Sequence, residues 1–295
     1  MERELAKQGG WELVVADCRT EEDVAEALER HRPDALLVQF APVGARALSG
    51  ANGLAAIVRY GVGVDNIAVD VAEARGIAVG RVPDYCVDEV AEHTIALLLA
   101  VERRIVELAV QTRAGRWEWH AATPTRRVAD LRLGLVGFGQ IAKAVGMRGG
   151  AFGMRLAAHD PGVEPHEMRE QGVEPLAFED LLRRSDVLSL HVPLTEETRG
   201  LIGRSELELL PEGAIVLNTA RGGLVDEVAL AEALVSGRLR GAGIDVLVEE
   251  PPGAAHPLRT APGAVLTPHV AWYSEKAVVE LRRKAVETAI ALASR

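Results

Sequence analysis

The chain has 295 residues, 48% of them hydrophobic, and a formal net charge of −10, which predicts packed cores and disfavours direct nucleic-acid binding, since phosphate neutralisation needs clustered Lys and Arg. Arg103-Arg104 and Arg126-Arg127 are isolated basic pairs. Cys18 and Cys86 stand far apart without metal-ligand spacing, the longest aliphatic run is Ile95–Val101, and the charged start Met1-Glu2-Arg3-Glu4 has no apolar stretch behind it; these features predict a reduced, cytoplasmic protein without zinc site, membrane span or signal peptide.

A chain of this length predicts two domains. Met1–Gly10 reads as a helix closed by Gly9-Gly10, and Trp11–Ala16, Ala35–Val38 and Ala55–Val58 read as buried strands. Between the first two strands lies an amphipathic helix, Glu21–Arg30, with Thr20 as its N-cap. Val87–Gln111 is the longest predicted helix, acidic in its first turn and basic at Arg103-Arg104, as the helix dipole favours. Gly115–Asp130 breaks the rhythm with two tryptophans, Pro124 and several arginines, and reads as a connecting arm. Alternation then restarts with strands at Leu131–Val136, Arg155–His159, Val187–Leu190, Ala214–Leu217, Gly241–Ile244 and Val265–Leu266, before a final helix from Ser274. Strands alternating with helices predict an α/β protein with parallel sheets. Residues 1–86 and 272–295 are expected to form one domain and residues 87–271 the other.

The strand ending at Val136 runs into Gly137-Phe138-Gly139-Gln140-Ile141-Ala142 and then a helix. The first glycine permits a tight turn, the second lets the backbone approach a pyrophosphate, and the small third residue lets helix and strand pack closely. Asp160 ends the next strand 18 residues after Ala142, close to the ~20-residue offset of an acid that binds a ribose 2′-hydroxyl. An acid there repels a 2′-phosphate, so NAD is favoured over NADP. Gly149-Gly150 inside the expected helix is the one local conflict, about 1 kcal/mol per glycine against alanine.

Further motifs occur in order: Arg59-Tyr60-Gly61-Val62-Gly63-Val64-Asp65-Asn66-Ile67, Val82-Pro83-Asp84-Tyr85-Cys86 running on to Glu92-His93-Thr94, Ser189-Leu190-His191-Val192-Pro193, Asn218-Thr219-Ala220-Arg221-Gly222, Asp245 with Glu250-Pro251, and Thr267-Pro268-His269. With the glycine turn, they make the chain resemble the D-isomer-specific 2-hydroxyacid dehydrogenases, which include phosphoglycerate dehydrogenases, glyoxylate/hydroxypyruvate reductases and C-terminal binding proteins. The resemblance runs from about Trp11 to the final helix. It implies a Rossmann domain binding NAD(H), a smaller flavodoxin-like substrate domain, and a small 2-keto or 2-hydroxy acid as substrate.

By the same resemblance His269 is the acid/base, Glu250 its partner and Arg221 the substrate anchor. The chemistry agrees, because a developing alkoxide needs a proton donor that titrates near neutrality, and a guanidinium grips a carboxylate bidentately. The resemblance also places Gly137, Phe138, Gly139, Gln140, Ile141, Thr94, Asp160, His191, Thr219, Ala220 and Asp245 at the cofactor. Arg59, Val62, Gly63 and Trp272 fall at the substrate. His93 and His120 read as helix-surface and arm residues. A homodimer through the NAD domain is expected, with Trp117 and Trp119 at the interface.

Two other readings remain open at this point. The chain could be an NAD(H)-sensing interaction protein like the C-terminal binding proteins, or a shortened, inactive homologue. Members of the family usually begin with a strand and loop ahead of the Met1–Gly10 element. In a flavodoxin-like domain that strand would sit between Trp11–Ala16 and its neighbours, and without it backbone groups would be left unpaired.

Overall fold

The computed structural model describes residues 1–294. The chain divides into two compact units, Met1–Cys86 with the segment from Tyr273 onward, and Val87–Trp272.

In the smaller unit, helix α1 (Glu2–Gln8) precedes α2 (Glu21–His31), β1 (Ala35–Val38), α3 (Ala45–Ser49), β2 (Ala56–Arg59), α4 (Val69–Ala74) and β3 (Ala78–Arg81). The three strands form a parallel sheet in the order β1-β2-β3. Thr20 caps α2 as its sequence predicts: its hydroxyl accepts from the Asp23 N–H at 3.2 Å, and Asp23 Oδ2 accepts from the Thr20 N–H at 2.8 Å. Val24 and Leu28 of α2, Ala47 and Leu48 of α3 and Ile57 of β2 share one core. The C-terminal helix (Glu275–Ala293) packs through Leu281, Ala285 and Ala289. Gly80 of β3 admits it closely, since a Cβ there would fall 2.8 Å from Leu292 Cδ1.

Trp11–Ala16 forms no strand. Its aliphatic run has the composition of a buried strand, but a strand exists only with a hydrogen-bonded neighbour. The Trp11 N–H closes α1 on the Ala6 carbonyl at 2.8 Å, and Val14 and Val15 are 51% and 72% exposed. The sheet ends at β1.

The larger unit opens with α5 (Val87–Glu102) and α6 (Ile105–Arg113). The single helix expected over Val87–Gln111 is therefore two. Arg104 adopts a left-handed φ of 52°, and its guanidinium donates to the Ala121 carbonyl at 3.2 Å. The arm that follows contains two short 3-10 turns, Trp119–Ala122 and Val128–Asp130. Fully buried Glu102 anchors it, accepting from the Arg126 N–H at 2.8 Å and lying 2.7 Å from the Arg126 guanidinium and 3.2 Å from Arg240. A carboxylate in that position must be matched by cations and donors.

Then come β4 (Arg132–Val136), α7 (Gln140–Ala151), β5 (Arg155–His159), α8 (Pro165–Glu170), β6 (Glu174–Pro175), α9 (Phe178–Arg184), β7 (Val187–Leu190), α10 (Arg204–Leu209), β8 (Ala214–Asn218), α11 (Glu227–Val235), β9 (Leu239–Ile244) and β10 (Ala264–Leu266). All seven strands are parallel, in the order β10-β9-β8-β7-β4-β5-β6. Strand side chains alternate between faces. Leu133, Leu135, Ile215 and Leu217 meet α5 and α7 on one side, while Leu188, Leu190 and Val216 meet α9, α10 and α11 on the other. The glycines of α7 have a use here. Ala142, Val145, Gly146 and Gly149 form its buried face, and a Cβ on Gly149 would lie 2.7 Å from Leu133 Cδ2. The strand order reverses between β4 and β7, the point at which such sheets leave a crevice at their carboxyl ends. Among the described residues no helix is long and apolar enough to cross a membrane.

Candidate active site

The glycine turn leaves β4 at that crevice. Gly137 has φ +90°, and a Cβ there would lie 2.8 Å from the His191 carbonyl oxygen beyond β7. A Cβ on Gly139 would meet nothing within 4 Å, so the second glycine borders open space. Gly139 caps α7 without a side-chain acceptor, and the N–H groups of the first turn face outward for an anion. Gln140 is exposed and Ile141 half-buried, whereas the Phe138 ring is buried in the core. The Phe138 N–H donates to Asp160 Oδ2 at 2.7 Å, and the Gly162 N–H donates to Oδ1 at 2.8 Å. Asp160 thus sits at the end of β5 on the wall of a cleft of about 290 Å³ that His159, Arg169 and Leu176 also line. An open second glycine, an uncapped helix and an acid beside a cleft fit a dinucleotide. Among the described residues no group of three His, Cys, Asp or Glu could hold a metal ion.

His191 follows β7, its Nε2 2.8 Å from Ser189 Oγ. Although the residue keeps some exposed surface, the desolvation of its ring pushes its pKa down from 6.5 to about 3. The imidazole is therefore neutral in the native state over the usable pH range. Below pH 6.5 the unfolded chain gains a proton at this residue that the folded protein refuses. This stability is complete above pH 6.5 and is lost as pH falls toward 3, by up to about 1.4 kcal/mol per pH unit. The urea midpoint is expected to drop between pH 7 and pH 5, with a shallower drop in His191→Asn. Equal slopes in the two proteins would exclude this source.

Beyond β8 the buried Asn218 builds the next loop, accepting from the Ala220 N–H at 3.0 Å through Oδ1 and donating from Nδ2 to the Arg221 carbonyl at 2.8 Å. Arg221 Nη1 donates to the Ala220 carbonyl at 2.7 Å. Gly222 brings this loop against the one after β9: a Cβ on it would fall 2.0 Å from the Leu247 carbonyl carbon. Thr94 is buried on α5, donating to the Val90 carbonyl at 2.7 Å and lying 2.9 Å from the Thr219 hydroxyl.

The loop after β9 carries Glu250, whose Oε1 accepts from the Leu247 N–H at 2.8 Å. Its Oε2 lies 2.7 Å from His269 Nδ1. Burial alone would raise the Glu250 carboxyl, but the hydrogen bonds from His269 and Leu247 and the charges of His269 and Arg221 outweigh it and hold the group below its usual range. His269 has a left-handed φ of 51°. Its carbonyl accepts from Trp272 Nε1 at 2.9 Å, which places Trp272 beneath the same turn.

Asp245 anchors that turn. Its Oδ1 accepts from the Thr267 hydroxyl at 2.5 Å and the Val270 N–H at 3.0 Å, and its Oδ2 accepts from the Ala271 N–H at 2.9 Å. His93 belongs here and not to the outer surface of α5, because its Nε2 lies 2.9 Å from Thr267 Oγ1. His93 and Thr267 both stand in motifs of the sequence, but a histidine on a helix carries no local sign of what its ring meets. His120 stays in the arm, stacked on Trp119.

In the smaller unit, Arg59 ends β2 and its Nε donates to the Gln39 carbonyl at 3.2 Å. The guanidinium lies over Gly61, whose φ is +144°, and a Cβ there would sit 1.5 Å from Nη1. Val62 and Gly63 follow, half-buried. Arg81 at the end of β3 adds a second guanidinium, 3.5 Å from the Val62 carbonyl oxygen.

Residues 95–271 match the family profile described as D-isomer specific 2-hydroxyacid dehydrogenase, NAD binding domain. The chain is 44% identical over 238 residues to a D-3-phosphoglycerate dehydrogenase of Mycobacterium leprae, covering 80% of this chain and 45% of the relative. It is 41% identical over 253 residues to a glyoxylate reductase of Aeropyrum pernix, covering 83% of this chain and 75% of the relative. Among solved structures, D-lactate dehydrogenase from Aquifex aeolicus, complexed with NAD and lactic acid, superposes with a TM-score of 0.83 at 30% identity, covering 90% of this chain and 83% of that one. The chain spans about half the length of the phosphoglycerate dehydrogenases it matches.

Proposed function

Because the chain belongs to the D-isomer-specific 2-hydroxyacid dehydrogenase family, we propose that it interconverts a small 2-keto acid and its D-2-hydroxy acid with NAD(H), using His269 as the acid/base. The observation that carries this reading is the 2.7 Å contact between His269 Nδ1 and Glu250. With Nδ1 occupied, Nε2 is the ring nitrogen left to exchange a proton with the substrate oxygen. The bound cofactor supplies or accepts a hydride. Arg221 grips the substrate carboxylate and stabilises the oxygen as negative charge builds on it. The first turn of α7 holds the pyrophosphate, and Asp160 accepts from the ribose hydroxyls while repelling a 2′-phosphate. Thr94, Thr219, Ala220, Asp245 and His191 border the nicotinamide end. In the smaller unit, Arg59, Val62 and Gly63 are assigned to substrate binding by the same proposal. Trp272 shapes the pocket for an apolar substituent.

Oxidation of NADH and of NADPH, followed with glyoxylate, hydroxypyruvate, pyruvate, phosphohydroxypyruvate and branched 2-keto acids, tests the proposal. Turnover of at least one acid, with NADH preferred by roughly tenfold or more, is the expected result. A folded protein that binds NADH and turns over none of them would instead fit the interaction-protein reading. Cytoplasmic localisation belongs to the same proposal, since a chain with two cysteines far apart in its sequence suits a reducing compartment.

The proposed assembly is a homodimer. Helix α6 buries none of its residues, and Ile105, Val106 and Val110 are exposed beside the arm. Trp117 and Trp119 are 88% and 71% exposed. An apolar face of this kind on a helix and the arm next to it fits a second copy of the same chain. A dimer is expected in sedimentation at micromolar concentration, and Val110→Glu with Trp117→Glu should shift it to monomer. A monomeric wild type would overturn the assignment.

A further inference from the structure

The turn carrying His269 rests on one carboxylate, and that carboxylate is in turn held by a histidine to which the proposed chemistry gives no task. Asp245 is 2% exposed. Besides the three side-chain hydrogen bonds given above, its carbonyl accepts the His269 N–H at 2.8 Å. Thr267, His269, Val270 and Ala271 therefore all donate to this one residue. A buried carboxylate keeps its geometry only while its donors keep theirs. Among the described residues, the basic side chain within 4.0 Å of it is His93, with Nε2 at 3.6 Å from Oδ1.

The contact between His93 and Thr267 has a defined direction. Thr267 Oγ1 donates to Asp245 Oδ1, and a hydroxyl has a single proton, so that proton is committed to Asp245. At 2.9 Å from His93 Nε2, the Thr267 oxygen then accepts, and Nε2 carries a hydrogen. The order runs from His93 Nε2–H to Thr267 Oγ and from Thr267 O–H to Asp245 Oδ1. Helix α5 thereby fixes a hydroxyl rotor that would otherwise be free to turn away from the carboxylate. The left-handed φ of His269 is a conformation that a histidine keeps when its surroundings impose it.

We propose that His93 is a positioning residue which, through Thr267 and Asp245, fixes the turn that aims the His269 imidazole. This rests on the reading of His269 as the acid/base. Its structural half, the hold on residues 267–271, stands without that reading.

The test compares His93→Leu, His93→Gln and Thr267→Val with the wild type, and His93→Leu/Thr267→Val with each single variant. Glutamine places an amide N–H near the position of Nε2. In the cofactor-free protein, hydrogen exchange at the Val270 and Ala271 amides should quicken by about tenfold in His93→Leu and in Thr267→Val. The amides of Leu133 and Leu135 should be unchanged, which shows that the domain remains folded. With NADH and the acid turned over best in the screen, kcat should fall by roughly tenfold to a hundredfold in both variants. KM for NADH should stay within about threefold, since a displaced proton donor acts on the chemical step more than on binding. His93→Gln should recover most of both losses, and the double variant should be no worse than either single one.

Unchanged exchange at Val270 and Ala271 in His93→Leu overturns the proposal, as does a glutamine variant as impaired as the leucine one. If the wild type turns over no acid, the functional reading fails. The exchange measurement then still decides whether His93 holds the turn.

Discussion

Replacing His269 with alanine is expected to lower kcat by roughly 10²- to 10⁴-fold, the usual worth of a placed general acid, while leaving NADH binding intact. Tryptophan-to-NADH fluorescence transfer and steady-state rates measure the two parts separately. His269 lies on the turn after β10, away from the glycine turn and Asp160 that hold the dinucleotide in our proposal, so a loss of NADH binding of the same size would show the residue is placed wrongly. Glu250→Gln gives the companion result. The contact to His269 is one of the interactions that hold the Glu250 carboxyl below its usual range, and through Nδ1 the carboxylate fixes the orientation of the ring. A carboxylate with a lowered pKa is ionised over the whole working range and loses its contribution only as pH falls through that lowered value. With glutamine in its place, the acid-side loss of kcat for keto-acid reduction that protonation of Glu250 causes in the wild type should be absent. An unchanged profile would remove Glu250 from the proton step.

The parts of this molecule that could be read from its sequence are those whose physics is local. The glycine turn announces itself because Gly137 needs a positive φ and because Asp160 ends the next strand at the expected offset. Thr20 and Asp23 form a capping box within four residues. The strands of the larger sheet appear as aliphatic runs since both faces of the sheet are covered. Trp11–Ala16 has a similar composition and is not a strand, because pairing depends on a neighbour and not on the residues alone. The break at Arg104 was hidden for a related reason: arginine is a good helix former, and its left-handed backbone accompanies a contact to Ala121 in the arm. His93 illustrates the same limit at the site, since its partner Thr267 lies far along the chain on another element. Phe138 lies inside the glycine motif. Its ring belongs to the core, and its N–H is spent on Asp160.

Arg221 should be the second residue whose loss nearly abolishes turnover. Arg221→Met is expected to reduce kcat/KM for the keto acid by roughly 10²- to 10³-fold, comparable with the removal of an oxyanion donor, about 3–4 kcal/mol of transition-state stabilisation. Arg221→Lys should recover little of this, since an ammonium keeps the charge but not the planar fork that matches a carboxylate. The loss should divide between KM for the acid and kcat, because one guanidinium both binds the carboxylate and stabilises the developing alkoxide. KM for NADH should move by less than about threefold. The loop supports this assignment through two residues that do no chemistry. Asn218 is buried and ties residues 218–221 into one turn, and Gly222 lets that turn lie against Leu247 at a distance no side chain permits. Gly222→Ala places a methyl 2.0 Å from the Leu247 carbonyl carbon, so the two loops must part. Because Glu250 accepts from the Leu247 N–H, that variant should weaken substrate binding and proton transfer together, with the arginine still present. If Gly222→Ala keeps wild-type kcat and KM, the closeness of these loops does not matter for turnover. If Arg221→Met does so, the guanidinium is not the substrate anchor.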